Sequence, residues 1–103
     1  MSLLMLNEKD PEVLKSLYQF RRKVFKDGAL SAKEKELIAL ALSCSIKCEK
    51  CFDHHAEEAK KCGATEDEML EAIEVAMYLT GPAAMIWTEK IDEVIGHRTY
   101  RDS

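Results

Sequence analysis

A membrane-length apolar run, a dense basic cluster and a flexible linker are all missing from this chain of 103 residues. The apolar opening Met1-Ser2-Leu3-Leu4-Met5-Leu6 meets Asn7-Glu8-Lys9-Asp10 too soon to act as a signal peptide, so a cytoplasmic, non-membrane protein is expected. With 15 basic and 19 acidic residues the formal charge is −4, and no arginine or lysine cluster is dense enough to follow a phosphate backbone. Nucleic acid is therefore not an expected partner. There are no internal repeats or low-complexity segments, and the two prolines and four glycines fall at helix boundaries. Together these absences leave one all-α domain spanning residues 1–103. Its size is near the lower end for a self-sufficient core, where oligomerisation often supplies further burial.

Helical spacing is what remains. A helix is expected from about Pro11 to Lys26, with Leu14, Leu17, Tyr18, Val24 and Phe25 as its apolar stripe and Gly28 closing it. Ser31 and Glu34 form a capping box for a second helix, whose run Leu37 to Leu42 is apolar on every side. A third carries the cysteine motif and ends at Gly63. Thr65 and Glu68 make another capping box, opening a helix from Glu66 to about Leu79 that is again apolar nearly all round. Gly81-Pro82 breaks it and starts a last helix through about Ile95. A domain this small cannot bury two such helices within one subunit, so a face of one of the last two helices is expected to form a subunit interface.

Four cysteines in a reducing compartment point to metal or redox chemistry and away from a structural disulfide framework. Cys48 and Cys51 are three apart and His55 lies four further on. On a helix the two sulfurs stand roughly 60° apart around the axis and about 4.5 Å apart along it, and all three side chains share a face. Cα atoms so spaced are about 5 Å apart, within the range a disulfide accepts. Glu36 would sit about 18 Å from Cys48 on one unbroken helix, so a bend must intervene. Ser45 is the expected N-cap of the cysteine helix, placing Cys48 at its third position. In the antiparallel hairpin that results, Glu36 and His55 are equidistant from a turn centred between Ser45 and Ile46, which puts carboxylate beside imidazole.

The first turn of a helix favours thiolate, and Lys47 and Lys50 add positive potential. His55 can take a thiol proton directly or through a water, while Glu36 holds the imidazole tautomer. Once one sulfur is oxidised to sulfenic acid, the other is placed to condense with it. The alternative is a structural or sensor zinc site built from Cys44, Cys48, Cys51 and His55. Against it, such sites draw ligand pairs from separate segments, and here all four fall within twelve residues of a helical chain.

The remaining chemistry-bearing residues have plainer readings. Cys44 reads as a small buried residue ending the second helix, and Cys62 as a partly exposed bystander. His54 points about 100° away from His55 and reads as a surface or interface residue. His97 belongs to a polar tail. Trp87, Met69, Met77 and Met85 read as packing or interface residues, and Phe52 and Tyr78 as either core or pocket lining.

The pattern Glu36, eleven residues, Cys48-Glu49-Lys50-Cys51, three residues, His55 resembles the AhpD-like alkylhydroperoxidase core of the carboxymuconolactone decarboxylase family. The likeness extends to the Ala-rich helix after the motif, to Gly63 and to Leu79-Thr80-Gly81-Pro82-Ala83-Ala84, covering roughly residues 10 to 95. It implies an all-α fold, assembly as trimers or hexamers, and peroxide reduction with electrons from a dithiol donor such as a lipoylated protein. It further implies that Cys51 is the sulfur attacked by peroxide oxygen, Cys48 its proton donor and disulfide partner, and Glu36 with His55 a proton relay. No cofactor or metal is implied. The chain is shorter than the full alkylhydroperoxidases, which contain a second helical repeat, and its inter-cysteine dipeptide Glu49-Lys50 carries neither aromatic nor histidine. Lactone decarboxylases of the family lack the cysteine pair, so decarboxylation is not expected.

Overall fold

Helix signals in the sequence dominate the observed architecture. The computed structural model describes residues 3–81 and 86–96, and within them the chain forms six α-helices and no strand. They are α1 (Leu4–Lys9), α2 (Pro11–Phe25), α3 (Ala32–Ser45), α4 (Glu49–Lys61), α5 (Glu66–Thr80) and α6 (Ile86–Ile95). No described helix is long and apolar enough to cross a membrane. The short α1 has no counterpart in the sequence reading.

Both capping boxes form. Ser31 Oγ accepts from the Glu34 N–H at 3.0 Å while Glu34 accepts from the Ser31 N–H at 2.9 Å, and Thr65 and Glu68 repeat the exchange for α5. These reciprocal bonds satisfy N–H groups that a helix start leaves without partners. Glu34 is thus a capping residue, and its carboxyl is held below the usual range by its bonds to Ser31. Gly63, just past α4, takes the left-handed conformation (φ 90°) that ends a helix cheaply only at glycine. By contrast α2 is not closed by Gly28; Lys26, in extended conformation, is its C-cap.

The core is built around the antiparallel α3–α4 pair, with α5 packed on α3 and α6 on α4 and α5. Leu40, Cys44, Phe52, Ala56, Ala59, Met69, Ile73, Ala76 and Ile91 form one buried cluster. Ala56 and Ala59 are fully buried, and their small side chains let the helices approach closely over the site. The expected stripe on α2 is mostly not buried: Leu14 is covered, whereas Leu17, Tyr18 and Val24 are exposed, because α2 packs mainly on the short α1 and only sparsely on α3. Phe52 is core, Tyr78 is 89 % exposed, and Met85 and His97 lie outside the described residues.

Candidate redox site

The turn joining α3 to α4 is tighter than the sequence reading supposed. Ser45 does not cap α4; it is the last residue of α3, and its hydroxyl donates back to the Ala41 carbonyl. Cys48 takes the capping place itself, with extended backbone and its Sγ accepting from the Cys51 N–H at 3.2 Å. The chain reverses because Lys47 adopts a left-handed conformation (φ 57°), unusual for a residue with a side chain, while the Cys48 N–H returns to the Ser43 carbonyl at 3.1 Å. Cys48 is therefore the N-cap and Cys51 the third helical residue, where free N–H groups and the helix dipole favour negative charge on sulfur.

Cys48 and Cys51 are joined as a disulfide, their Cα atoms 5.2 Å apart. One turn beyond Cys51, His55 Nδ1 meets Glu36 Oε2 of α3 at 2.7 Å. Glu36 is only 6 % exposed, so this carboxylate is buried with a partner, as burial of a charge requires. The displaced cap does not disturb the hairpin register: α3 lengthens at its end as α4 starts later, and the acid still arrives level with the imidazole.

Two ring contacts escaped the sequence reading. Phe25, at the end of α2, stacks on the face of the His55 ring with centroids 5.3 Å apart. His54 is half-buried and meets His55 edge-on at 4.9 Å, so it lines the site and is not a free surface residue. Its Nε2 is buried without a hydrogen-bond partner. Burial first, then the neighbouring charges of Arg21 and His55, pushes its pKa down, with Glu58 and Glu36 opposing. The signal for Phe25 is absent from local pattern, since it depends on where α2 ends in space.

The other two thiols are poorly placed for reaction. Cys44 is buried in the core cluster with its Sγ against the Leu40 carbonyl, and burial pushes its pKa up to about 11. Cys62, the C-cap of α4, is exposed; burial and then the charges of Glu36, Glu58 and Asp27 push its pKa up. Among the described residues no group of three or more histidine, cysteine or acidic side chains is arranged to hold a metal ion. Cys44 faces the core, not Cys48 and Cys51, so the four proposed zinc ligands do not converge. A cavity of about 360 Å³, lined among others by Tyr18, Arg21, Phe25, Glu36 and Cys62, gives access to the Glu36 side of the pair. A second of about 490 Å³ lies among Lys60, Ala64, Thr65, Met69 and Ile95, apart from the cysteine pair.

Comparison with known proteins finds the same fold. A carboxymuconolactone decarboxylase family protein from Legionella pneumophila superposes with a TM-score of 0.84 at 31 % identity, covering 91 % of this chain and 84 % of that one. A Thermotoga maritima member of the same family, suggested to be involved in an antioxidative response, shares the fold at 24 % identity (TM-score 0.72; 81 % and 86 % covered). An uncharacterized protein of the cox locus of Paracoccus denitrificans is 38 % identical over 77 residues, 71 % of this chain and 69 % of its own length. The model of the carboxymuconolactone decarboxylase family matches residues 11–93, from the start of α2 into α6, and the chain belongs to that family.

Proposed function

We propose that this protein is a thiol-based antioxidant enzyme that reduces hydroperoxides through Cys51 and Cys48. The observation that carries the reading is the buried Glu36–His55 pair at 2.7 Å, one helical turn from a cysteine pair already close enough to bridge. In the reduced protein the Cys51 thiolate attacks a peroxide oxygen. The O–O bond breaks, the departing alkoxide takes a proton and leaves as alcohol, and Cys51 becomes sulfenic acid. The Cys48 sulfur then displaces water from it, giving the disulfide, and a dithiol donor, a lipoylated protein in this reading, restores both thiols. His55 accepts and returns the protons, and Glu36 keeps its Nδ1 proton in place and stabilises the imidazolium.

The thiol cycle fits a reducing cytoplasm, and the reading includes a homo-oligomer, trimer or hexamer, closed over the apolar side chains that one subunit leaves bare. Val75, Tyr78 and Leu79 on α5 are 59 %, 89 % and 75 % exposed, more apolar surface than a lone helix face normally shows to water. The direct test is peroxide consumption with dihydrolipoamide as reductant. Turnover in the native protein and its loss in Cys51→Ser is the expected result; equal turnover in that variant overturns the assignment.

A further inference from the structure

Lys90 is remote from the cysteine motif in sequence but is ion-paired to Glu49, a residue inside it. Its Nζ lies 2.6 Å from Glu49 Oε1, 3.3 Å from Asp53 Oδ1 and 3.6 Å from Glu93 Oε2, and the side chain is only 19 % exposed. Glu49 is one of the two residues between the cysteines, and Asp53 follows Cys51 by two positions. Two carboxylates therefore lie within about one helical turn of Cys51 along α4, on the side of the helix turned roughly 160° from it. Packing holds the cation there: Phe52, next to Cys51, meets Trp87 of α6 with ring centroids 5.0 Å apart.

We propose that Lys90 is an electrostatic positioning residue for the Cys48–Cys51 pair, drawing the Glu49 and Asp53 carboxylates toward α6 and offsetting their charge so that the first turn of α4 can carry a thiolate. The inference rests on the redox reading of the pair, not on which oxidant it meets. The groups around the sulfurs divide by sign. The N-terminal amides of α4, Lys47, Lys50 and Lys90 favour thiolate; Glu49, Asp53 and Glu93 oppose it, and Glu36 on α3 is engaged with His55. The contacts with Glu49 and Asp53 raise the Lys90 pKa, so it stays a cation throughout the range in which thiols titrate. Removing it leaves two uncompensated acids on the helix that carries the thiols. The reduced state then loses stability relative to the disulfide, which becomes harder to reduce.

One unit charge acting across the width of a helix, roughly 10 Å and partly screened by water, alters a thiolate population about two- to fivefold. The test uses the full chain with Cys62→Ser, so that alkylation by iodoacetamide reports the pair. The alkylation rate against pH, and the thiol–disulfide equilibrium with glutathione, are measured for Lys90→Met, Lys90→Arg, Glu49→Gln and the Lys90→Met/Glu49→Gln double variant. Lys90→Met is expected to slow alkylation at neutral pH about two- to fivefold, Lys90→Arg to stay within twofold of the parent, and Glu49→Gln to cause no loss. The double variant should recover at least half of the loss on a logarithmic scale, Asp53 accounting for the rest. An unchanged rate in Lys90→Met overturns the proposal, as does a loss that Glu49→Gln fails to rescue, which would mark Lys90 as a packing residue only. Because alkylation needs no peroxide, a protein with this pattern but no peroxide turnover would sink the enzyme assignment alone.

Discussion

α4 is capped by a cysteine at each end, and the two caps have opposite chemistry. Cys48 at the N-terminus accepts a backbone N–H and lies where the helix dipole stabilises negative charge. Cys62 at the C-terminus donates its own N–H to the Glu58 and Ala59 carbonyls, and its thiol is pushed further from ionisation by partial burial and nearby carboxylates. The same residue type on one helix is thus set in an environment that favours thiolate at one end and disfavours it at the other. Spacing then adds a second difference: Cys48 has Cys51 at bridging distance, and Cys62 has no cysteine partner.

The largest predicted effect breaks this comparison at its reactive end. Cys51→Ser should reduce peroxide turnover to background, whereas Cys62→Ser should keep it within about twofold, as measured by peroxide loss with a dithiol. Removing the relay comes next. Glu36→Gln keeps the size of the side chain but leaves His55 without its carboxylate, and turnover should fall about a hundredfold with a changed pH profile. Third is the support beneath the reactive turn. Phe52→Ala empties a fully buried site and should destabilise the fold by about 3–5 kcal/mol in denaturant melts, whereas Tyr78→Ser should leave a dissociated subunit nearly unchanged while weakening assembly in light scattering.

The smallest effect concerns pH. The folded pKa of His54 is depressed, so near and below its ordinary value of 6.5 the unfolded chain binds more protons than the folded one. The contribution of His54 is intact above that value and is lost as pH falls through it toward the depressed folded pKa. Stability should therefore decline on acidification from pH 7, and His54→Gln should flatten the decline; an equal slope in the variant would remove His54 as its cause.

Much of this was legible in the residues because helix signals are local. Capping boxes at Ser31 and Thr65, Gly63 after α4, and apolar runs specify element type and order, and hairpin symmetry alone pairs Glu36 with His55. The cap of α4 was misplaced at Ser45 because serine has the higher capping preference, whereas the left-handed turn at Lys47 handed that role to a sulfur. α1 was missed because six residues give too short a pattern to read. Phe25 on His55 and Lys90 on Glu49 depend on how α2 and α6 dock, which no local periodicity encodes.

In the proposed cycle Cys48 and Cys51, and neither of the other two thiols, form the redox couple. This pairing is tested most directly by treating the fully reduced protein with one equivalent of hydroperoxide and mapping its cysteines by mass spectrometry. The predicted result is one Cys48–Cys51 bridge with Cys44 and Cys62 still free thiols. A bridge involving Cys44 or Cys62, or a cysteine pair left reduced while peroxide is consumed, would rule that couple out.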